Sequence, residues 1–354
     1  MDRYGVGILG ATGLVGQRLV AALARHPWFE PRVLAASPRS AGRPYGAVTA
    51  WKLADGPPEG IAELEVRPCE PGRLGRCDLW LSALDAPQAR EIEPALREAG
   101  QAVVSNSSAL RMNDDVPLLV PEINAEHLGL IAGQRARHGG GFVVTNPNCS
   151  VVGLALGIWP LYRAFGLRRV LVTTLQAVSG AGLSGPGALD LVDNVVPYIE
   201  GEEEKVEREL GKILGRLDAG VLRPAGTRVS AHCHRVPVQD GHLEAISLEL
   251  ERPVSAQDAA AVLREFRAPE EIARLPSAVS RPLIVRAEPD RPQPRLDRDA
   301  GNGMAVVVGR VRACPVLGLK LELLSHNAVR GAAGGTLLIA ELLAARGLLR
   351  EGAA

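Results

Sequence analysis

The sequence has little of several things, and each shortage excludes something. Charge bias is absent: 40 basic residues face 40 acidic ones. A nucleic-acid binder would carry a basic excess, so that class is not expected. Aromatic residues are few, four each of Phe, Tyr and Trp, which argues against stacking platforms for bases. The longest apolar run, Val151 to Leu161, is too short to span a bilayer and is broken by Gly and Pro. The five cysteines include no C-x-x-C pair for zinc or redox exchange. Met-Asp-Arg-Tyr leads into an apolar segment without a signal-peptide pattern, so a cytoplasmic protein is expected, with cysteines available as free thiols. Lysine is the last shortage. Only Lys52, Lys205, Lys212 and Lys320 stand among the 40 cations, so a lysine set among functional groups invites a question.

What is present points to an α/β protein. The 354 residues, 46% of them apolar, are enough for about two domains with sizeable cores. Val6 to Gly10 reads as a strand, followed by a glycine-rich turn and a helical pattern through Leu19, Val20 and Leu23. Pro31 to Ala36, Asp78 to Ala83 and Ala102 to Ser105 read as further strands, with a helix over about Ala86 to Ala99. Alternation of this kind predicts βαβ units and a parallel sheet up to about residue 148. Beyond it a helix covers Val151 to Phe165, and long strand-like runs follow at Val170 to Val178, Ala245 to Glu251 and Ala305 to Ala313. A charged helix, Glu202 to Leu214, lies between the first two, and Arg286 to Asn302 reads as a long exposed loop. The expected organisation is a Rossmann-type domain over 1–148, joined by a C-terminal helix in 327–354 that returns to it, and an α+β domain over 149–326.

Gly5, Gly7 and Gly10 match G-x-G-x-x-G, but this match lies before and inside the strand, whereas the nucleotide fingerprint follows it. The better candidate is the turn Gly10-Ala-Thr12-Gly13-Leu14-Val15-Gly16, where glycines let a phosphate approach backbone N–H groups at a helix start. An ordinary βα turn is the bland alternative. An acidic residue ending the second strand would hold the ribose hydroxyl of NAD. Here that strand ends in Ser37-Pro-Arg39-Ser40, which suits the 2′-phosphate of NADP, unless it is only a solvated basic turn.

Cys149 follows Asn146-Pro-Asn148 just ahead of an apolar helix. The positive end of a helix dipole lowers a thiol pKa, so Cys149 is either a nucleophile or a buried structural cysteine. A nucleophile needs a proton-transfer partner. Candidates are His232, His234 and His242, the last following an Asp-Gly turn. No acidic or thiol ligand stands at metal spacing beside them, so no metal is expected.

Taken in order, Gly10 to Gly16, Ser105-Asn-Ser-Ser-Ala-Leu-Arg-Met112, Asn146-Pro-Asn-Cys149, Ser179-Gly-Ala-Gly182, Asp193-Asn-Val-Val-Pro-Tyr-Ile199, Arg235-Val-Pro-Val-Gln-Asp-Gly-His242, Gly303-Met-Ala-Val306 and Ser325-His-Asn-Ala-Val-Arg-Gly331 resemble the aspartate-semialdehyde dehydrogenase family, in its archaeal and fungal branch. The resemblance covers nearly the whole chain. It implies an NADP-dependent reduction of L-aspartyl-4-phosphate to the semialdehyde and phosphate, and a homodimer or homotetramer built through the second, catalytic domain. Cys149 then matches the nucleophile and His242 the acid/base group. Gln176 orients substrate, Arg235 holds its α-carboxylate and Glu202 its ammonium, with Glu203 and Glu204 adjacent alternatives. Arg111, Asn148 and Lys205 match the phosphate-binding set, and Ser179, Gly180 and Asn327 cofactor contacts. Leu183 to Gly187 and His232-Cys-His234 depart from the family pattern. Reductases of N-acetylglutamyl phosphate or malonyl-CoA, and a non-catalytic NADP-sensing protein, are the rival readings.

Overall fold

A computed structural model describes residues 3–349, except the side chains of Ser184 and Ala188. The first sheet is built from β1 (Tyr4–Leu9), β2 (Phe29–Ala36), β3 (Val66–Pro68), β4 (Leu79–Ser82), β5 (Ala102–Ser105) and β6 (Phe142–Thr145). All are parallel, in the order β3-β2-β1-β4-β5-β6. This is the doubly wound Rossmann order, which places ligands at the carboxyl ends of the strands. The strands β4, β5 and β6 are buried at every position, as parallel strands covered on both faces must be. Helix α1 (Leu14–Leu23) covers one face, and α2 (Ala86–Glu98), capped by Asp85, belongs to the other.

The second sheet is mixed. Its strands are β7 (Leu167–Gln176), then β10 (Arg228–Arg235), β11 (His242–Leu250), β12 (Leu283–Val285), β13 (Val306–Cys314) and β14 (Gly318–Ser325), ordered β10-β7-β11-β14-β13-β12. A separate hairpin pairs β8 (Arg216–Asp218) with β9 (Val221–Arg223). Helices α3 (Val151–Phe165), α4 (Glu202–Ile213) and α5 (Ala256–Glu265) cover one face of this sheet around its apolar core.

Helix α6 (Gly334–Ala345) is apolar nearly all round and buried from Gly335 to Leu343, the signature of a core helix. It returns, as expected, to the core of the parallel sheet, beside Leu19, Val20 and Leu23 of α1. One expectation fails. Arg286 to Asn302 is not a plain exposed loop, because the Asp297 carboxylate is fully buried and gathers Arg286, Arg291 and the Gln293 N–H around it. Proline, aspartate and arginine that read as solvated in sequence are here consumed by one another.

Candidate active site

The glycine turn is tight. Gly10 has φ of +73°, and a Cβ on Gly16 would sit 2.2 Å from the Gly10 carbonyl oxygen, so neither position takes a side chain without the turn opening. Gly13 caps α1. Across the edge of the sheet, Ser37, Pro38 and Arg39 are exposed at the carboxyl end of β2, in a turn closed by the Ser40 N–H on the Ser37 carbonyl.

Cys149 lies two residues before the start of α3. The Asn148 side chain folds forward and accepts from the N–H groups of Ser150 (2.9 Å) and Val151 (3.3 Å), an asparagine cap that orients the Cys149 backbone. Asn148 is itself clamped from α4: its Nδ2 donates to Glu202 Oε1 at 2.7 Å, and its backbone N–H to Glu209 Oε2 at 2.7 Å. Behind the thiol, Gly331 leaves no room, since a Cβ there would lie 2.8 Å from Cys149 Cβ.

Cys149 Sγ is 3.3 Å from His242 Nε2. The Ala177 N–H donates to His242 Nδ1 at 3.0 Å. A ring nitrogen that accepts a backbone N–H carries no proton, so the neutral imidazole holds its hydrogen on Nε2 and donates toward the sulfur. Burial pushes the His242 pKa down to about 3, helped by Arg235 and His326. The helix-dipole expectation for Cys149 is reversed: burial, then Glu202, pushes its thiol up to about 12 against the opposing pull of Arg111 and Arg235. Dense packing outweighs a dipole worth only ~1 kcal/mol.

Around this pair, Arg235 is 6% exposed and donates from Nη1 to the Ala177 carbonyl at 2.8 Å. Gln176 Nε2 donates to Glu202 Oε1 at 3.1 Å, and Lys205 Nζ stands 3.3 Å from Glu202 Oε2. Glu202 thus faces the site. Glu203 and Glu207 instead accept from backbone N–H groups of β10. Arg111 donates to Glu209 (2.9 Å) and to the Asn106 carbonyl (2.6 Å). Asn327 bridges Ser179 Oγ and the Gly241 N–H, both at 2.8 Å. Gly180 runs so close that a Cβ would meet Arg235 Nη1 at 2.9 Å and His242 Nε2 at 3.2 Å.

The histidines do not converge. His232 is exposed and His234 half-buried, while His242 is on the buried face of its own strand. Among the described residues no group of three or more His, Cys, Asp or Glu is placed to hold a metal.

Glu209, Lys212 and Glu244 were not anticipated. Lys212 is 4% exposed, and Glu244 is fully buried with a carboxyl pushed well above the usual range by burial and Glu202. For Glu209 and Lys212 the signal was available on α4: both fall on the face of Val206, Leu210 and Ile213, so they are charges at core positions.

A Rossmann-order sheet joined to a mixed sheet, with a thiol and an imidazole paired at the junction, defines a two-domain dehydrogenase. Residues 5–131 match the NAD binding domain of semialdehyde dehydrogenase, and residues 158–330 its dimerisation domain. An aspartate-semialdehyde dehydrogenase of Methanothermobacter thermautotrophicus is 50% identical over 96% of this chain and 98% of its own length. One from Candida albicans is 44% identical over 97% and 98%. The crystal structure of aspartate semialdehyde dehydrogenase with NADP from Candida albicans superposes with a TM-score of 0.90 at 43% identity, covering 98% of this chain and 99% of that one. The chain belongs to the aspartate-semialdehyde dehydrogenase family.

Proposed function

We propose that this chain reduces L-aspartyl-4-phosphate to L-aspartate 4-semialdehyde with NADPH, releasing phosphate, in the biosynthesis of Lys, Thr, Met and Ile. The observation that carries the reading is the Cys149–His242 pair at 3.3 Å, flanked by Arg235 and Glu202. We assign 1–148 with 327–354 to the cofactor domain and 149–326 to the catalytic and dimerisation domain, although 1–2 and 350–354 lie outside the described residues. We also propose a cytoplasmic homodimer or homotetramer. Among the described residues no helix is long and apolar enough to cross a membrane.

The residues present fit NADP. The turn of Gly10, Thr12, Gly13, Leu14 and Val15 opens on the start of α1, and the turn of exposed Ser37 and Arg39 with half-buried Ser40 offers a cation for a 2′-phosphate. Ser179, Gly180 and Asn327 lie toward the reacting end. The cofactor supplies the hydride that reduces the acyl carbon.

Cys149 Sγ attacks that carbon, and the departing phosphate takes the thiol proton, so a thioester forms without a charge left on the protein; once its carbon is reduced, the carbon–sulfur bond breaks, the semialdehyde leaves and the sulfur takes a proton back from water. Ser150 and Val151 N–H groups are committed to Asn148, so the oxyanion falls to the Cys149 N–H and His242 Nε2–H. Each donor of this kind contributes about 3 kcal/mol. Arg235 binds the α-carboxylate as a planar two-point donor. Glu202 receives the substrate ammonium in exchange for Lys205, and Gln176 steadies both. Asn148 shapes the phosphate side through its turn, because its amide is held by Glu202. Arg111 and Lys205 bring the cationic charge there.

Steady-state assay with the semialdehyde, phosphate and NADP or NAD tests this. Phosphate-dependent NADP reduction is expected, lost in Cys149→Ser with the fold retained. Faster turnover of an acyl-CoA or of N-acetylglutamyl phosphate would overturn the substrate, and wild-type turnover in Cys149→Ser the mechanism.

A further inference from the structure

The scarce lysines include one whose surroundings are built around it. Lys212, on α4, donates from Nζ to the carbonyl oxygens of Arg111 (2.6 Å), Asn113 (2.7 Å) and Val116 (2.8 Å). An ammonium has three N–H donors and no more, so all three are spent on one short segment. One turn earlier on the same helix, Glu209 Oε1 takes the Arg111 guanidinium at 2.9 Å, while Glu209 Oε2 takes the Asn148 N–H at 2.7 Å. The helix therefore grips Arg111 at both ends of the residue, main chain and side chain, and grips the nucleophile turn with the same carboxylate.

We infer that Lys212 is a positioning residue for phosphate: its ammonium ties the Arg111–Val116 segment to α4 and so fixes where the Arg111 guanidinium meets the leaving or attacking phosphate. The inference rests on the proposed assignment of Arg111 to the phosphate side. Lysine is suited to this task and arginine is not. Three carbonyls converging on one point match a compact tetrahedral cation, whereas a guanidinium spreads its donors over a plane. The three donors of Lys212 all go to the Arg111–Val116 segment, so its effect on the reaction passes through Arg111.

The charge on Lys212 is poised. Burial pulls its pKa down to about 8, opposed by Asp114 and Asp115 on the tethered segment and by Glu209 on its own helix. Arg111 across the contact and His127, which feels the Lys212 charge, are the other ionisable groups facing it. Below about 8 the ammonium holds the segment; as the pH rises through that value the amine keeps fewer donors and the tether loosens.

The test uses the full-length enzyme oxidising the semialdehyde at varied phosphate, with phosphate expressed as its dianion. Lys212→Met, which keeps the stem and removes the charge, is expected to raise the KM for phosphate about tenfold with the KM values for semialdehyde and NADP within about twofold. Lys212→Arg restores the charge without the convergent geometry and falls between. In the wild type the KM for phosphate climbs as the pH passes about 8, and in Lys212→Met that climb is absent. A lower kcat with an unchanged KM for phosphate in Lys212→Met would show a stabilising stitch only and overturn the inference. Should Lys212→Met not fold, Lys212→Arg decides: a KM for phosphate equal to the wild type's overturns it. Arg111→Gln separates the two levels. If its KM for phosphate is unchanged, phosphate does not bind at Arg111 and both readings fall; if it rises while Lys212→Met leaves KM unchanged, only the Lys212 inference falls.

Discussion

Cys149 and His242 face each other as a neutral thiol and a neutral imidazole near pH 7, because burial disfavours the charged form of each. A thiol pushed up to about 12 gains thiolate with every unit of rising pH over the ordinary working range. Alkylation of Cys149 by iodoacetamide, without substrate, is therefore expected to accelerate about tenfold per pH unit from neutral to mildly alkaline conditions. A plateau reached below pH 8 would show an ion pair instead of the neutral pair. Gly180 offers a second residue-scale measurement. A methyl group there would crowd Arg235 Nη1 at 2.9 Å and His242 Nε2 at 3.2 Å. Gly180→Ala is expected to lose about 100-fold in kcat/KM, since shifts of an ångström at reacting groups cost that much, with thermal stability near wild type. Both groups are reachable side-chain ends, so the damage is to alignment and not to the core.

The elements that carry these residues are held together by buried charge. Arg330, in the π-helical turn Val329–Ala333, makes two hydrogen bonds of 2.7 Å to the Glu122 carboxylate, with both side chains at most 2% exposed. That turn sets Gly331 against Cys149. Glu122→Ala leaves the guanidinium buried and alone, at an expected cost of about 3–5 kcal/mol, read as a lower denaturation midpoint; a loss below ~1 kcal/mol would mean that water reaches the orphaned arginine. Elements of this kind mark the limit of sequence reading. Ala102–Ser105 and Val151–Phe165 were legible to the residue, because continuous apolar runs bounded by turns have one cheap interpretation. Cys149, His242, Arg235 and Glu202 were legible through ordered motifs that resemble a family, and the structure brings them into one site. Glu209, Lys212 and Glu122 were not, since a charge on a helix reads as solvated until its partner, 98 residues away for Glu209 and Arg111 or 208 for Glu122 and Arg330, is known. The Asp297 knot hid although its partners are only 4 to 11 residues away, because a local run of Pro, Asp and Arg also reads as solvated.

At the scale of the molecule, the second sheet has one face covered by helices and another that is not. On the uncovered face Leu171 is 46% exposed, beside Thr173, Ser230, His232 and Ser247. A sheet face left to water carries polar residues, and charged Arg312, Lys320 and Glu322 line this same surface, but Leu171 stands among them as a large exposed apolar side chain. The match of residues 158–330 to a dimerisation domain fits such a face. A stable interface buries about 800 Å² on each partner, within reach of a six-stranded sheet. We therefore expect the chain to sediment as a dimer or larger, and Leu171→Glu, which plants a charge opposite its own copy, to shift it toward monomer. The same variant should lose activity with dissociation, because Gln176, Arg235 and His242 sit on the other face of these strands and share their register. Wild-type mass for Leu171→Glu in analytical ultracentrifugation would move the partner to the exposed stripe of Leu189, Val192, Val195 and Tyr198, where Val192→Glu becomes the decisive variant.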